Sequence, residues 1–367
     1  MKILLINQFT ELKHQYGLDR YLHLLNFLNL HGAEAKLVRS SRYPENENDL
    51  NTIVLKSIFK NHGTMQRFFY YIEFGLKLLF IKFKEDVIYC STPNIFACFM
   101  ALIKAKIMKK KFVFEVRDVW KTSVQDLTNI SSFNPFFIVS LWMEKVLLQK
   151  SDLIVHTMHD FRSYLKDRGL NQKKLLFYLP QIIDTNNLNE ITNFKEKKYN
   201  FIYSGSLKKK NNPMEFITGF RLFKEHMPHL NARLTVIGFP ESKDLENYSK
   251  QYDLKVKFIK KYYKKNELLK IIADFDAGLL SYHNKSVYKY GKSFNKELDY
   301  KAAGVAIIDC KGDNLNIGEN ALKSLIQYSN YTNEELENIR KLNLKEVCAK
   351  HDASKNIKSL LFVIRSI

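Results

Sequence analysis

The chain has 367 residues, of which 46% are hydrophobic and 26% are charged, with 58 Lys and Arg residues against 38 Asp and Glu residues. This composition excludes a disordered chain, which combines low hydrophobicity with high net charge, and the length predicts two domains of ordinary size. The formal net charge of +20 predicts an anionic partner, and phosphorylated small molecules, nucleic acid and acidic lipid surfaces all qualify.

Short β-rich runs alternate with helical segments over the first half of the chain. Strands are predicted over residues 2–6, 35–38, 87–89, 112–116 and 153–156. Helices are predicted from about residue 18 to residue 32, over 94–109 and over 135–150. This alternation predicts a parallel sheet with helices on both faces.

The alternation restarts after a polar stretch at residues 184–198. Strands are predicted over 201–204, 234–237, 256–259, 277–280 and 305–308, with helices between them. We expect a first Rossmann-like domain over 1–184, a second over 185–350, and a terminal helix over 351–367. Either domain could hold this helix, and the expected arrangement is that it packs back on the first. Ligands of such doubly wound sheets bind at the carboxyl ends of the strands.

The most apolar region, residues 68–83, is interrupted by Glu73, Lys77 and Lys82, so it is too short and too charged to cross a bilayer. Two interpretations stay open for it: a packed helix of the first domain, which is slightly favoured, or a basic amphipathic helix on an anionic membrane. The four cysteines are far apart and indicate neither a disulfide framework nor a zinc site. We therefore expect a cytoplasmic protein, with peripheral contact at the inner face of the cytoplasmic membrane left open.

A glycine and a run of lysines follow the first strand of the second domain. Gly205 and Ser206 precede Lys208, Lys209 and Lys210, and a helix comes next. Glycine lets the backbone approach a ligand closely, while lysines and a helix N-terminus suit a diphosphate. A basic surface turn is an equally good interpretation of the spacing alone.

A helix is predicted to open near Ser293, as its N-cap, and to close at Gly304. Asn295 and Asp299 are four residues apart and would share one face of it. A carboxylate there could accept two hydrogen bonds from a ribose diol. Taken alone, this segment favours a solvated helix face.

Two segments of the first domain carry candidate polar residues. Arg117 and Asp118 directly follow a predicted strand, where an α/β cleft would lie, although a structural Arg–Asp pair explains them equally well. Gly17 precedes the first helix in a polar loop, where another chain or a substrate could approach. Two histidine pairs have helical spacing but lack a third ligand, so no metal site is expected.

Together these segments resemble retaining glycosyltransferases of family four, which have the two-domain GT-B fold. Residues 295–308, NKELDYKAAGVAII, are similar to the family's nucleotide-sugar helix, P-x-K-x-x-E-Y-x-A-x-G-x-P-V-I, with Asn295 at the proline and Asp299 at the ribose-binding glutamate. Residues 114–120, FEVRDVW, resemble the R-D-L-W segment of the branch that makes bacterial surface polysaccharides, and residues 203–209, YSGSLKK, resemble the donor phosphate loop. LPQIID at 179–184 and ADFDAGLL at 273–280 resemble two further family segments.

The resemblance implies an α/β protein of the GT-B class, with two Rossmann-like doubly wound domains facing across a cleft. It implies retaining transfer of a hexose or N-acetylhexosamine from a nucleotide-diphosphate donor to a saccharide acceptor, expected to be lipid-linked, in O-antigen, capsule or lipopolysaccharide synthesis. No cofactor is implied, and UDP is slightly favoured as the donor nucleotide. Catalytic roles fall to Asp118, Lys209 and Asp299. Donor contacts are expected from Gly205, Ser206, Lys208, Lys209, Gly238, Ser293, Asn295, Lys296 and Asp299, and acceptor contacts from Tyr16, Gly17, Arg117 and Asp118.

Besides Asp299, which is shorter than the family's glutamate by one methylene, the chain departs from the family pattern at three places. Gly291 stands where the family often has a sugar-binding glutamate, Ser206 replaces an arginine, and the glycine expected after Ile259 is absent. Three other functions therefore stay in view. They are a catalytically inactive relative that acts as a partner or scaffold, a basic nucleic-acid-binding protein, and a sugar-nucleotide epimerase.

Overall fold

The computed structural model describes residues 1–10, 20–41, 51–59, 64–128, 130–186, 188, 196–240, 243–283, 285–312 and 316–367. The chain forms two compact units. Unit 1 contains Met1–Ile183, Ser286–Ser293 and Ala353–Ile367, and unit 2 contains Asp184–Lys285 and Phe294–Asp352. Each unit is built on one parallel sheet, which confirms the predicted α/β class with two Rossmann-like units.

Unit 1 has a seven-stranded sheet in the order β3-β2-β1-β4-β5-β6-β7. Its strands are β1 (Lys2–Ile6), β2 (Glu34–Ser41), β3 (Thr52–Lys56), β4 (Val87–Ser91), β5 (Lys111–Val116), β6 (Leu153–His156) and β7 (Leu176–Tyr178). The five strands predicted for this half are present. The central strands are easily recognised in the sequence. Helices cover both of their faces, so these strands are continuous apolar runs.

In its described residues, unit 1 has six helices before its junction with unit 2. They are α1 (Arg20–Leu30), α2 (Thr64–Leu78), α3 (Ile95–Ile107), α4 (Trp120–Thr128), α5 (Pro135–Lys150) and α6 (Phe161–Asp167). Helices α2, α3 and α5 share one apolar core on one face of the sheet. Helix α1 belongs to a second core on the other face.

Unit 2 has a five-stranded sheet in the order β10-β9-β8-β11-β12. Its strands are β8 (Asn200–Ser204), β9 (Arg233–Ile237), β10 (Lys257–Ile259), β11 (Ala277–His283) and β12 (Ala306–Gly312). Its helices are α7 (Pro213–His226), α8 (Asp244–Gln251), α9 (Lys265–Ala273), α10 (Asn295–Ala302), α11 (Glu319–Ser329) and α12 (Asn333–Glu346). All strand pairs are parallel, so their carboxyl ends lie along one edge of the sheet.

The terminal helix α13 (Ala353–Arg365) belongs to unit 1. It buries Ile357, Leu360 and Ile364, which recur at helical spacing, in the same core as Leu24 and Leu28 of α1. Among the helices that the structure describes, none is long and apolar enough to cross a membrane.

The start of α10 corrects one prediction. The helix begins at Asn295, and Phe294 occupies the N-cap position without a side-chain hydrogen bond. Ser293 therefore does not cap the helix, although serine is a favoured N-cap residue. Ser293 instead ends the short stretch Ser286–Ser293 that belongs to unit 1, so packing overrides the local capping preference.

Candidate functional site

Two glycine turns meet at the carboxyl ends of β8 and β9. Gly205 (φ +136°) donates its N–H to the carbonyl of Ile237 at 2.9 Å, and Gly238 (φ +151°) donates to the carbonyl of Ile259 at 3.0 Å. A Cβ on Gly238 would lie 2.1 Å from the carbonyl oxygen of Gly205. Only glycine fits there, so this edge of the sheet presents bare backbone, which a ligand can approach closely.

The lysines that follow Gly205 lie on a short turn whose backbone is held at several points. The Nδ2 of Asn211 donates to the carbonyl of Ser206 at 2.7 Å, and the Nε2 of His283 hydrogen-bonds the carbonyl of Lys209 at 3.0 Å. The side chains of Lys208 and Lys209 are exposed. The turn therefore fixes the lysine backbone beside the glycine turns, with both side chains on the exposed surface.

Lys296 reaches this edge from α10. A Cβ on Gly205 would meet Cδ and Cε of Lys296 at 3.2 Å, so the lysine stem lies over the glycine. Its Nζ donates to the hydroxyl of Tyr203 at 2.6 Å, and that hydroxyl donates to the carbonyl of Ser206 at 2.8 Å. Burial lowers the pKa of Lys296 to about 8. An anion bound at this edge would favour the charged, ammonium form of Lys296.

Asp299 is buried and forms an ion pair with Lys265, the first residue of α9. Asn295, on the turn before it, is exposed. The two residues of α10 predicted to share a ribose-facing side thus lie in different surroundings. Sequence reasoning missed Lys265, because no local motif marks a lysine that meets its partner only through the fold.

Tyr300 fixes α10 against the sheet. Its hydroxyl accepts the N–H of Ser204 at 3.0 Å and donates to the carbonyl of Leu279 at 3.2 Å. A Cβ on Gly278 would lie 2.4 Å from the Tyr300 ring, so the strand needs glycine to admit it. Burial raises the pKa of the Tyr300 phenol, which therefore stays protonated. A glycine inside a predicted strand is the sequence signal for such a close approach.

In unit 1, Arg117 and Asp118 follow the carboxyl end of β5. The N–H of Arg117 donates to Thr92 Oγ1 at 3.1 Å, and Thr157 Oγ1 donates to the carbonyl of Arg117 at 2.8 Å. The turn is thereby tied to the segments after β4 and β6. Arg117 is half-buried and Asp118 is exposed, so the carboxylate is accessible to a ligand. Tyr16 and Gly17 lie outside the described residues.

The surroundings of Gly291 explain why glycine stands at this position. Gly291 has φ +129°, and a Cβ there would lie 2.8 Å from the backbone nitrogen of His159. The preceding Tyr290 is buried, donates its hydroxyl to Asp167 at 2.8 Å, and accepts the N–H of Asp160 on its carbonyl at 2.9 Å. This stretch is thus closely packed on unit 1, and a side chain at position 291 would have to displace backbone.

The described residues contain no group of three or more His, Cys, Asp or Glu that could hold a metal ion. His156, from one predicted histidine pair, bonds through Nδ1 to the carbonyl of Met158 at 2.9 Å and stacks on Phe161. Burial lowers the pKa of His156 to about 4, so its imidazole is neutral at physiological pH. Its role in the structure is packing.

No protein-family model and no curated protein sequence matches the chain. Solved structures match it over its whole length. A sucrose-phosphate synthase from Thermosynechococcus elongatus is 13% identical, with a TM-score of 0.70, over 100% of this chain and 98% of its own. The E. coli trehalose-6-phosphate protein bound with UDP-2-fluoro glucose is 12% identical, with a TM-score of 0.73, over 100% and 99%. Anabaena HepE in complex with UDP is 11% identical, with a TM-score of 0.65, over 100% of both chains. At these identities the likeness concerns the fold, and the chain has the GT-B fold.

Proposed function

We propose that the chain is a retaining glycosyltransferase of family four that takes a sugar from a nucleoside-diphosphate donor. The observation that carries the proposal is the pair of glycine turns at the carboxyl edge of the unit 2 sheet. Lys208, Lys209 and Lys296 lie beside these turns. Bare backbone, ammonium groups and the N-terminus of α10 are the features that bind a diphosphate. UDP is the first nucleotide to test, because the similar E. coli and Anabaena structures contain UDP-2-fluoro glucose and UDP.

Stabilisation of the leaving diphosphate is the main chemical task of this site. Lys209, assisted by Lys208 and Lys296, would neutralise the charge that develops as the sugar departs. Asp299 would accept hydrogen bonds from the ribose, and its ion pair with Lys265 holds the carboxylate on α10 in place. Backbone groups at Gly205, Ser206 and Gly238, with Asn295, would complete the donor contacts from unit 2.

Unit 1 would bind the acceptor, with Asp118 and Arg117 lining its side together with Tyr16 and Gly17. In the proposed mechanism the bond from the anomeric carbon to the diphosphate breaks and the acceptor oxygen bonds to that carbon on the same face. The leaving phosphate oxygen takes the acceptor proton. The FEVRDVW segment favours a lipid-linked saccharide of a surface polysaccharide as the acceptor, and a hexose or N-acetylhexosamine as the transferred sugar.

Replacing Asp299 with alanine is expected to weaken binding of the donor nucleotide about tenfold, because hydrogen bonds to a charged acceptor are lost. Calorimetry with UDP, GDP, dTDP and ADP identifies the nucleotide. If UDP binds, the wild type should prefer UDP over 2′-deoxy-UDP, and Asp299→Ala should bind the two equally. A variant that still discriminates between them contradicts the ribose role. Failure of the wild type to bind any nucleotide contradicts the donor site as a whole.

Nucleotide affinity is expected to fall as the pH rises above about 8, because Lys296 then loses the charge that attracts the diphosphate. A bound diphosphate favours the ammonium form of Lys296, so the pKa of Lys296 is higher in the complex than in the free protein. Between these two pKa values the nucleotide affinity falls by up to about tenfold per pH unit. Lys296→Arg keeps its charge throughout this range and should give a flat profile. A decline of the same size in Lys296→Arg would contradict the assignment.

A further inference from the structure

The outer surface of unit 1 carries a contiguous set of exposed aromatic and aliphatic side chains on and beside α2 and α5. The rings of Phe59 and Phe69 lie 5.4 Å apart, those of Phe69 and Phe68 5.7 Å, and those of Phe68 and Phe136 5.1 Å. On α5 the same face continues with Val139 and Trp142, three and six residues beyond Phe136. We call this set the aromatic patch; its members are Phe59, Phe68, Phe69, Phe136, Val139 and Trp142.

The patch is exposed although its helices are packed. Phe136 is 66% exposed and Trp142 is 55% exposed. Tyr70, Phe74 and Leu78 of α2 are buried on the other side of that helix. The packed-helix interpretation of residues 68–83 thus holds for one side of α2, whereas the other side of α2, together with part of α5, is exposed. Monomeric soluble proteins rarely leave such a contiguous apolar surface without a partner.

The exposed charged side chains of α2, α3 and α5 are positive. Helix α3 contains no acidic residue, and α2 and α5 contain one each. The carboxylate of Glu73 is paired with Lys77 at 2.6 Å and is 9% exposed, and Glu144 is buried. Arg67 on α2 and Lys145 on α5 are exposed. These three helices therefore present both an apolar surface and positive charge to a binding partner.

We propose that the aromatic patch docks unit 1 on the surface of an anionic lipid bilayer. Trp favours the headgroup level of a membrane, and Trp and Phe are typical of the apolar face of helices that lie in this interface. Exposed Lys and Arg side chains beside them reach anionic headgroups. This inference goes beyond the donor chemistry and does not depend on it, since a bilayer contact is measurable whatever the chain catalyses.

Flotation with phosphatidylcholine vesicles, with and without phosphatidylglycerol, tests the proposal. The protein should float with the anionic vesicles and not with the neutral ones. The chain has two tryptophans, so Trp142 becomes the sole reporter in Trp120→Phe. Its emission should shift to the blue and be quenched by brominated acyl chains on anionic vesicles. Unshifted emission from bound protein would place the contact elsewhere and overturn the proposal.

Paired substitutions show whether the patch makes the contact. Phe136→Ser combined with Trp142→Ser should weaken vesicle affinity at least about tenfold, from the apolar area no longer buried, and Lys145→Gln about fivefold. Phe362→Ser, at a residue of α13 that is 77% exposed, is the matched control and should bind as the wild type does. Thermal melting checks that each variant folds.

Three further outcomes would overturn the proposal. They are equal binding to neutral vesicles, wild-type binding by the Phe136/Trp142 double variant, and a patch-dependent dimer that binds no vesicles, which would make a second copy the occupant. Nucleotide binding by the double variant is expected to be unchanged. A failure of the membrane contact is thereby distinguishable from a failure of the donor site.

Discussion

Replacing Lys209 with alanine is expected to lower the turnover number about 100-fold, because a positioned cation no longer stabilises the leaving diphosphate. The exposed ammonium follows the Gly205 turn on a backbone that Asn211 and His283 hold in place. The loss should appear in turnover more than in nucleotide affinity, since the charge on the diphosphate increases as the sugar leaves. The measurement is the rate at which the nucleotide is released from a nucleotide-sugar donor.

Two controls accompany this substitution. Lys270→Ala removes an exposed lysine from α9 and should leave the rate unchanged. Lys209→Arg keeps the charge and should retain more activity than the alanine variant. Near-normal turnover in Lys209→Ala would assign the phosphate role to another cation, and Lys296 would be the next to replace.

Replacing Gly238 with alanine is expected to lower the free energy of unfolding by about 3 kcal/mol or more. The new Cβ would lie 2.1 Å from the carbonyl oxygen of Gly205, and φ of +151° is unfavourable for an L-residue. Because the clash involves backbone on both sides, the two turns must separate and the nucleotide affinity should fall with the stability. Chemical denaturation and calorimetry measure the two effects.

Gly169→Ala is the matched control for the backbone conformation. Gly169 also has positive φ (+63°), but a Cβ there meets nothing within 4 Å. Gly169→Ala should lower the free energy of unfolding by about 1 kcal/mol, from the left-handed conformation alone. It should not affect nucleotide binding. An equal loss of stability in Gly169→Ala and Gly238→Ala would mean that the close contact between the two glycine turns does not contribute to the effect.

The parts of the fold that sequence predicts well are those whose signal is local. Strand β6 and helix α5 have the predicted bounds, Leu153–His156 and Pro135–Lys150. The strand is a short apolar run, and the helix begins with Asn134, whose side chain accepts the N–H groups of Phe136 and Phe137. Strand β7, with three residues, lies at the edge of its sheet and is too short to give such a signal.

The candidate site divides in the same way. Gly205, Lys208 and Lys209 are recognisable because a strand, a glycine and a basic run follow one another in the chain. The ion pair between Lys265 and Asp299 is not recognisable in the sequence, because the two residues are 34 positions apart and meet only when α9 and α10 pack. The same holds at Gly291, where the reason for glycine is the backbone of His159. Tertiary contacts decide these positions, and a single sequence does not reveal them.

The division of unit 1 into three stretches of chain has a consequence for its biosynthesis. Domains generally fold as units, and the N-terminal one folds first as the chain is made. Here all of unit 2 has been synthesised by residue 352, whereas unit 1 still lacks α13, which contributes Ile357, Leu360 and Ile364 to the core around Leu24. The core of unit 1 therefore cannot be completed before all of unit 2 has been synthesised, although unit 1 is begun first. The half-covered core of unit 1 would remain a binding site for chaperones until the last stretch emerges.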